Sequence, residues 1–189
     1  MPNVARVRRC HLDWPPLRRI APQILLAATL AACHRAPPPP VQPPRAVADA
    51  KPVAVRSEQV AFEVVERVAG LEHPWSLAFL PDGDMLVTER PGRLRRIGAD
   101  GTVSAPIAGL PEIFVDGQAG LLDVVLSPTF AEDNLVFLSF AEPNLRGNKA
   151  GTAVARGRLQ GDALLDVEVV YRQEPKLSSG THVGSRLVF

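Results

Sequence analysis

From about residue 60 the sequence echoes itself at a spacing that few architectures allow. An apolar run at 75–80 (WSLAFL) closes in Pro81-Asp82-Gly83, and 85–89 (MLVTE) pairs back across it. Proline presets φ for such a turn, and glycine supplies a positive φ without steric cost. Arg90-Pro91-Gly92 leads into 93–97 (RLRRI), whose alternation predicts a half-exposed strand, and Ala99-Asp100-Gly101 turns the chain into 102–104. The order then returns: 121–126 (LLDVVL), Ser127-Pro128, a polar turn at 131–134, then 135–140, 152–159 and, after Gly161-Asp162, 164–171. Residues 61–68 read as one more strand ahead of the first unit. Placing Leu80 over Leu126 gives an offset of about 46 residues, the length of one four-stranded propeller blade. The expected fold class is therefore all-β, a β-propeller. An immunoglobulin-like sandwich would also hold many short strands, but it does not account for the echo. No helix-period stretch of useful length follows residue 60.

A third copy begins at 185–189 (SRLVF), with Phe189 placed where Leu80 sits, just before the expected turn. On this reading about two blades are present and a third is begun. The chain is expected to be the N-terminal part of a longer propeller, because a closed ring pairs the sheet edges that two blades leave open.

The N-terminal third has another character. Arg6, Arg8, Arg9, Arg18 and Arg19, against a single acid, Asp13, precede the apolar run 20–33 (IAPQILLAATLAAC). A basic region, a short apolar region and small residues at the end make a secretory leader; the run is too short to span roughly 30 Å of hydrocarbon as a helix. Leu30-Ala31-Ala32-Cys33 resembles the bacterial lipobox, in which the cysteine sulfur is acylated and becomes the new N-terminus, so Cys33 is the expected lipidation site. A plain secretory signal cleaved near Ala32 is the alternative. His34, rather than Asp, follows the cysteine, so the inner-membrane retention pattern is absent, and the expected location is the periplasmic side, anchored in the outer membrane of a Gram-negative cell. The stretch 1–14 is long for a basic region, which leaves a downstream start codon open. Residues 34–59 then form a tether: 35–45 (RAPPPPVQPPR) is dense enough in proline for a stiff polyproline II spacer, and an SH3-type ligand is the alternative reading. The expected organisation is leader 1–33, tether 34–59 and propeller 60–189.

Charge narrows the partners. The whole chain carries +1, but the residues after Cys33 hold 16 basic and 19 acidic side chains, a formal −3. A mildly acidic body without a clustered basic face argues against nucleic-acid binding. Both cysteines, Cys10 and Cys33, lie in the leader, so the body has no disulfide.

Five segments carry a family resemblance: 73–83 (HPWSLAFLPDG), 88–93 (TERPGR), 117–123 (GQAGLLD), 151–156 (GTAVAR) and 180–189 (GTHVGSRLVF). In this order and spacing the chain from residue 60 onward resembles the PQQ-dependent glucose/sorbosone dehydrogenases, in particular their soluble aldose dehydrogenase branch. The resemblance implies a six-bladed propeller with pyrroloquinoline quinone (PQQ) over its mouth, calcium as a second cofactor, and an aldose substrate oxidised at the anomeric carbon to a lactone. That chemistry needs a base for the hydroxyl proton, and an imidazole, with an ordinary pKa of about 6.5, suits it. His182, in the 180–189 segment, matches the family's base position. Gln118 matches a glutamine that contacts the sugar. A lone histidine beside glycines is otherwise a loop residue, and a lone glutamine a turn cap. His73 reads as structural, its ring against the blade edge; Arg186 is open between a positional role and one beside the quinone. Glu132, Asp133 and Asn134 lack calcium-loop spacing and read as a solvated turn. The carboxylate that orients the base, the cations that grip the quinone and the calcium ligands are expected beyond Phe189, so two blades alone are expected to show no turnover. The competing reading is a lipid-anchored propeller that binds carbohydrate or a protein without redox chemistry; a lactonase-like hydrolase would need a carboxylate-rich metal centre, which the sequence does not show.

Overall fold

The computed structural model describes residues 42–189; the leader, Cys33 and the proline run through residue 41 lie outside the described residues. Near the start of the described part, β1 (Arg45–Ala46) pairs with β4 (Val68–Ala69), and β2 (Val53–Arg56) with β3 (Ala61–Val64). The strand expected over 61–68 is thus shorter: β3 ends at Val64, residues 65–67 join no sheet, and Val68 opens β4, which has a different partner. All four residues of β2 and of β3 are exposed.

The two echoing units are separate antiparallel meanders. β5 (Pro74–Phe79), β6 (Met85–Glu89) and β7 (Arg93–Ile97) form a three-stranded sheet. β8 (Leu121–Leu126), β9 (Leu135–Pro143), β10 (Ala150–Gln160) and β11 (Ala163–Arg172) form a four-stranded one. These are two adjacent blades of a β-propeller. The fourth strand expected at 102–104 shrinks to a single bridge, Ile97 to Val103. Its neighbours explain why: Asp100 takes the Thr102 amide and hydroxyl into its own turn, and Pro106 has no N–H with which to continue a ladder. The polar turn contains one helical turn, α1 (Phe130–Asp133). Asp133 accepts bonds from the Ser127 and Thr129 hydroxyls and from the Leu135 amide, which gives this one acid a structural use.

The first strands of the two blades lie side by side, and the seam between the blades is apolar. Leu80, Leu86 and Leu94 of the first blade meet Leu121, Val124, Val136, Leu138 and Phe140 of the second in one buried cluster. A smaller cluster, Ala119, Leu122, Ala141, Ala150 and Val183, lies on the far side of the second blade.

The blades repeat in detail. β5 is irregular between Pro74 and Leu77, and β8 between Leu121 and Val124, which makes Leu77 and Val124 counterparts and sets the repeat at 47 residues rather than 46. The polar bonds repeat too. Thr88 Oγ1 accepts the Ser76 amide at 3.0 Å and donates to the Leu122 carbonyl at 2.6 Å. Ser139 Oγ accepts the Asp123 amide at 3.0 Å and donates to the Ser185 carbonyl at 2.6 Å. A hydroxyl on the second strand of each blade thus pins the first strand of its own blade to the segment that opens the next. This makes Ser185 the counterpart of Leu122, so Phe189 matches Leu126 and Phe79, one place from the expected match to Leu80. Residues 185–189 pair in no sheet. They are held by these bonds, by the Leu187 amide on Asp123 Oδ2 at 2.7 Å, and by the Phe189 ring edge-on to Phe137 at 5.1 Å between centroids.

One buried charge cluster braces the first blade. Glu89, fully buried, accepts bonds from Arg93, Arg95 and the Glu72 amide. Burial alone would raise its pKa, but these donors outweigh burial and hold its carboxyl below the usual carboxylate range.

Candidate functional site

Two loops meet at the end of the second blade where β8 begins. The loop 116–120 carries Gln118 and the loop 178–184 carries His182. The Gly180 carbonyl receives the amides of Gln118 at 2.7 Å and Ala119 at 3.0 Å, and Gln118 Oε1 receives the His182 amide at 3.2 Å. Residues 64 positions apart are thereby fixed side by side, and both side chains are exposed. From below, Arg90 Nη1 donates to the Gly117 carbonyl at 2.6 Å and to the Ala119 carbonyl at 3.3 Å.

Two glycines make this approach close enough. A Cβ on Gly180 would lie 2.6 Å from Asp116 Oδ2 and 2.7 Å from the Asp116 carbonyl. One on Gly120 would lie 2.1 Å from the Arg90 carbonyl. Each methyl would meet a backbone carbonyl, Asp116 at 2.7 Å and Arg90 at 2.1 Å, where little can give way.

His182 adopts φ +58°, a left-handed conformation unusual for a side chain with a Cβ. Val183, the next residue, is 9% exposed and packs into the smaller apolar cluster, and its carbonyl accepts the Thr152 hydroxyl. The peptide before His182 and the peptide after Val183 are therefore tied down, while the imidazole makes no hydrogen bond among the described residues. Asp123, 1% exposed, accepts the Ser76 hydroxyl at 2.5 Å, the Leu187 amide at 2.7 Å and, at 3.4 Å, Arg186. The Arg186 side chain is 77% exposed and so keeps most of its donors free. On the neighbouring edge Glu142 takes Arg172 at 2.8 Å and Lys176 at 2.5 Å, which fastens the approach to the His182 loop.

Of the residues singled out from the sequence, Gln118 and His182 are brought together. Gln118 also has a contact no motif foretold, its carbonyl oxygen on the His182 backbone. His73, read as structural, has an exposed side chain and φ +48°, and its carbonyl takes the Arg90 amide. Three residues of the site escaped the sequence: Arg90, Thr152 and Asp123. Only Asp123 left a signal there, a carboxylate inside the apolar run LLDVVL, which must be paired if buried. Among the described residues no group of three or more His, Cys, Asp or Glu side chains is placed to hold a metal ion.

A family model described as glucose/sorbosone dehydrogenase matches residues 71–189. The aldose sugar dehydrogenase YliI of Escherichia coli K12 is 52% identical over 122 residues, covering 63% of this chain and 33% of that protein. Among solved structures, the soluble aldose sugar dehydrogenase of Escherichia coli in its apo form superposes with a TM-score of 0.60 at 51% identity, covering 63% of this chain and 35% of the other. The PQQ-bound aldose sugar dehydrogenase of Streptomyces coelicolor superposes with a TM-score of 0.50 at 26% identity, covering 69% and 36%. The chain spans about a third of the length of the relatives it matches.

Proposed function

The chain belongs to the glucose/sorbosone dehydrogenase family, and from that premise we propose that the native full-length protein is a PQQ-dependent oxidoreductase converting aldose sugars to lactones, with His182 as its base. The observation that carries this reading is the joining of Gln118 and His182 by a hydrogen bond at 3.2 Å from the His182 amide to Gln118 Oε1, with both side chains exposed. The neutral imidazole takes the proton of the anomeric hydroxyl as hydride leaves the anomeric carbon, and that carbon becomes the carbonyl of a lactone in the sugar ring that is already closed. Because Gln118 Oε1 is occupied by the His182 amide, its Nε2 is the end left to donate to a sugar oxygen and orient it. PQQ, when bound, supplies the two-electron acceptor. Arg186, largely exposed and held by one long bond, is free to meet a carboxylate of that cofactor. Calcium finds no ligand set among the described residues, and no step is drawn through it.

We place the protein on the periplasmic side of the cell envelope, lipid-anchored through Cys33, with the proline-rich stretch from residue 34 as far as β1 as the tether. Labelled palmitate should enter the wild-type protein and not Cys33→Ser. The catalytic reading is tested by supplying PQQ and glucose to the native protein and identifying the product. Gluconolactone with matching reduction of an electron-accepting dye supports it. Sugar binding without turnover would instead favour a non-catalytic carbohydrate-binding propeller.

A further inference from the structure

The backbone of His182 costs energy to hold. A non-glycine residue in the left-handed region is disfavoured because its Cβ crowds the backbone, and such conformations persist where the surroundings over-determine them. The flanking groups do so here. Before the ring, the His182 amide ends on Gln118 Oε1. After it, the Val183 carbonyl accepts the Thr152 hydroxyl. Thr152 is itself fixed, its amide on Gln173 Oε1 at 3.0 Å and its carbonyl taking the Gln173 amide at 2.8 Å. The second blade therefore grips the peptide groups and leaves the imidazole free.

We propose that Thr152 is a positioning residue for His182. Its hydroxyl, together with the Gln118 carbonyl oxygen, locks the backbone at 182–183 in the one conformation that aims the imidazole at the substrate. The proposal rests on the base role of His182 set out above. Neither residue need touch the reacting atoms for this, and Thr152 has no free hydroxyl to offer them, since it is spent on Val183. Without the lock His182 relaxes to an ordinary extended backbone, and the ring swings with it. Misplacing a catalytic group by about 1 Å costs up to a hundredfold in rate.

The test compares Thr152→Val, which keeps the shape and loses the hydroxyl, with Thr152→Ser, which keeps the hydroxyl, in the native full-length protein loaded with PQQ. Thr152→Val is expected to lower kcat roughly tenfold to a hundredfold while KM for the sugar changes less than about twofold, and Thr152→Ser to restore kcat. The φ-dependent amide–α-proton coupling of His182 should change in the valine variant and return to the wild-type value in the serine variant. Gln118→Glu keeps the acceptor for the His182 amide but loses the outward donor, so it should raise KM and leave the coupling unchanged. Wild-type kcat in Thr152→Val, an unchanged coupling there, or a loss that serine does not recover would overturn the proposal. The base role fails separately, if His182→Asn retains turnover, whatever the coupling shows.

Discussion

Replacing Thr88 with valine removes one hydroxyl from the seam between the blades and leaves its shape unchanged. Thr88 is fully buried, and its oxygen serves both the Ser76 amide and the carbonyl of fully buried Leu122. Each buried backbone group deprived of its partner costs about 1–3 kcal/mol. Two are orphaned; the Ser76 amide, on a half-exposed residue, recovers part of its loss through water, and valine avoids the desolvation cost of the hydroxyl itself. The expected destabilisation is about 3 kcal/mol. Ser139→Ala removes the equivalent hydroxyl of the next blade, but the carbonyl it frees belongs to Ser185, in a half-exposed segment that water reaches, so only the Asp123 amide is stranded. That variant should lose about 1–2 kcal/mol. Urea unfolding measures both: at a slope near 2 kcal/mol per molar, Thr88→Val lowers the midpoint by about 1.5 M with the slope unchanged. A Thr88→Val loss under about 0.5 kcal/mol, or a larger loss in Ser139→Ala, would refute the view that these hydroxyls join successive blades.

Three further outcomes follow from the same geometry. Gly180→Ala should disturb the loop that carries His182 before it disturbs the blade, because the added methyl meets Asp116 at 2.6 Å; amide exchange should rise at 180–184 while β8 to β10 stay protected. Gly120→Ala drives a methyl into the Arg90 carbonyl at 2.1 Å, and the whole protein should lose several kcal/mol by thermal unfolding, about 3 or more. Glu89 has a lowered folded pKa, so its contribution to stability is complete above its ordinary value of 4.5 and is lost as pH falls through the lowered one. Glu142, where burial is likewise outweighed by Lys176 and Arg172, adds a loss of the same sign. Glu89→Gln should therefore flatten the fall in unfolding midpoint between pH 4.5 and the acid limit, and a parallel curve would remove Glu89 from the account.

What the sequence disclosed, it disclosed through turns. β6 and β7 lie where the alternation and the Pro81-Asp82-Gly83 and Arg90-Pro91-Gly92 turns put them, because those turns fix where a strand can begin and end. The end of β3 at Val64 and the start of β4 at Val68 were not legible in 61–69 because each depends on which strand that segment pairs with, a long-range fact. The repeat was visible in outline, but its register came one residue late: the irregularities in β5 and β8 leave no mark in residue type, and Leu80 and Leu126 look alike on paper. At the site, family motifs led to Gln118 and His182, yet not to the bond between them. Side-chain oxygen to backbone amide contacts across 64 residues have no local pattern. Thr152 was equally silent, one threonine among β-branched and small residues of a strand.

The most direct test of the account is the steady-state oxidation of glucose by the native full-length protein, loaded with PQQ, beside its His182→Asn variant. If His182 is the base, kcat falls by about a hundredfold to ten-thousandfold in the variant while the protein still binds PQQ and keeps its unfolding midpoint. Equal rates in the two proteins would contradict the account and leave the joined loops of Gln118 and His182 as a structural corner of the propeller.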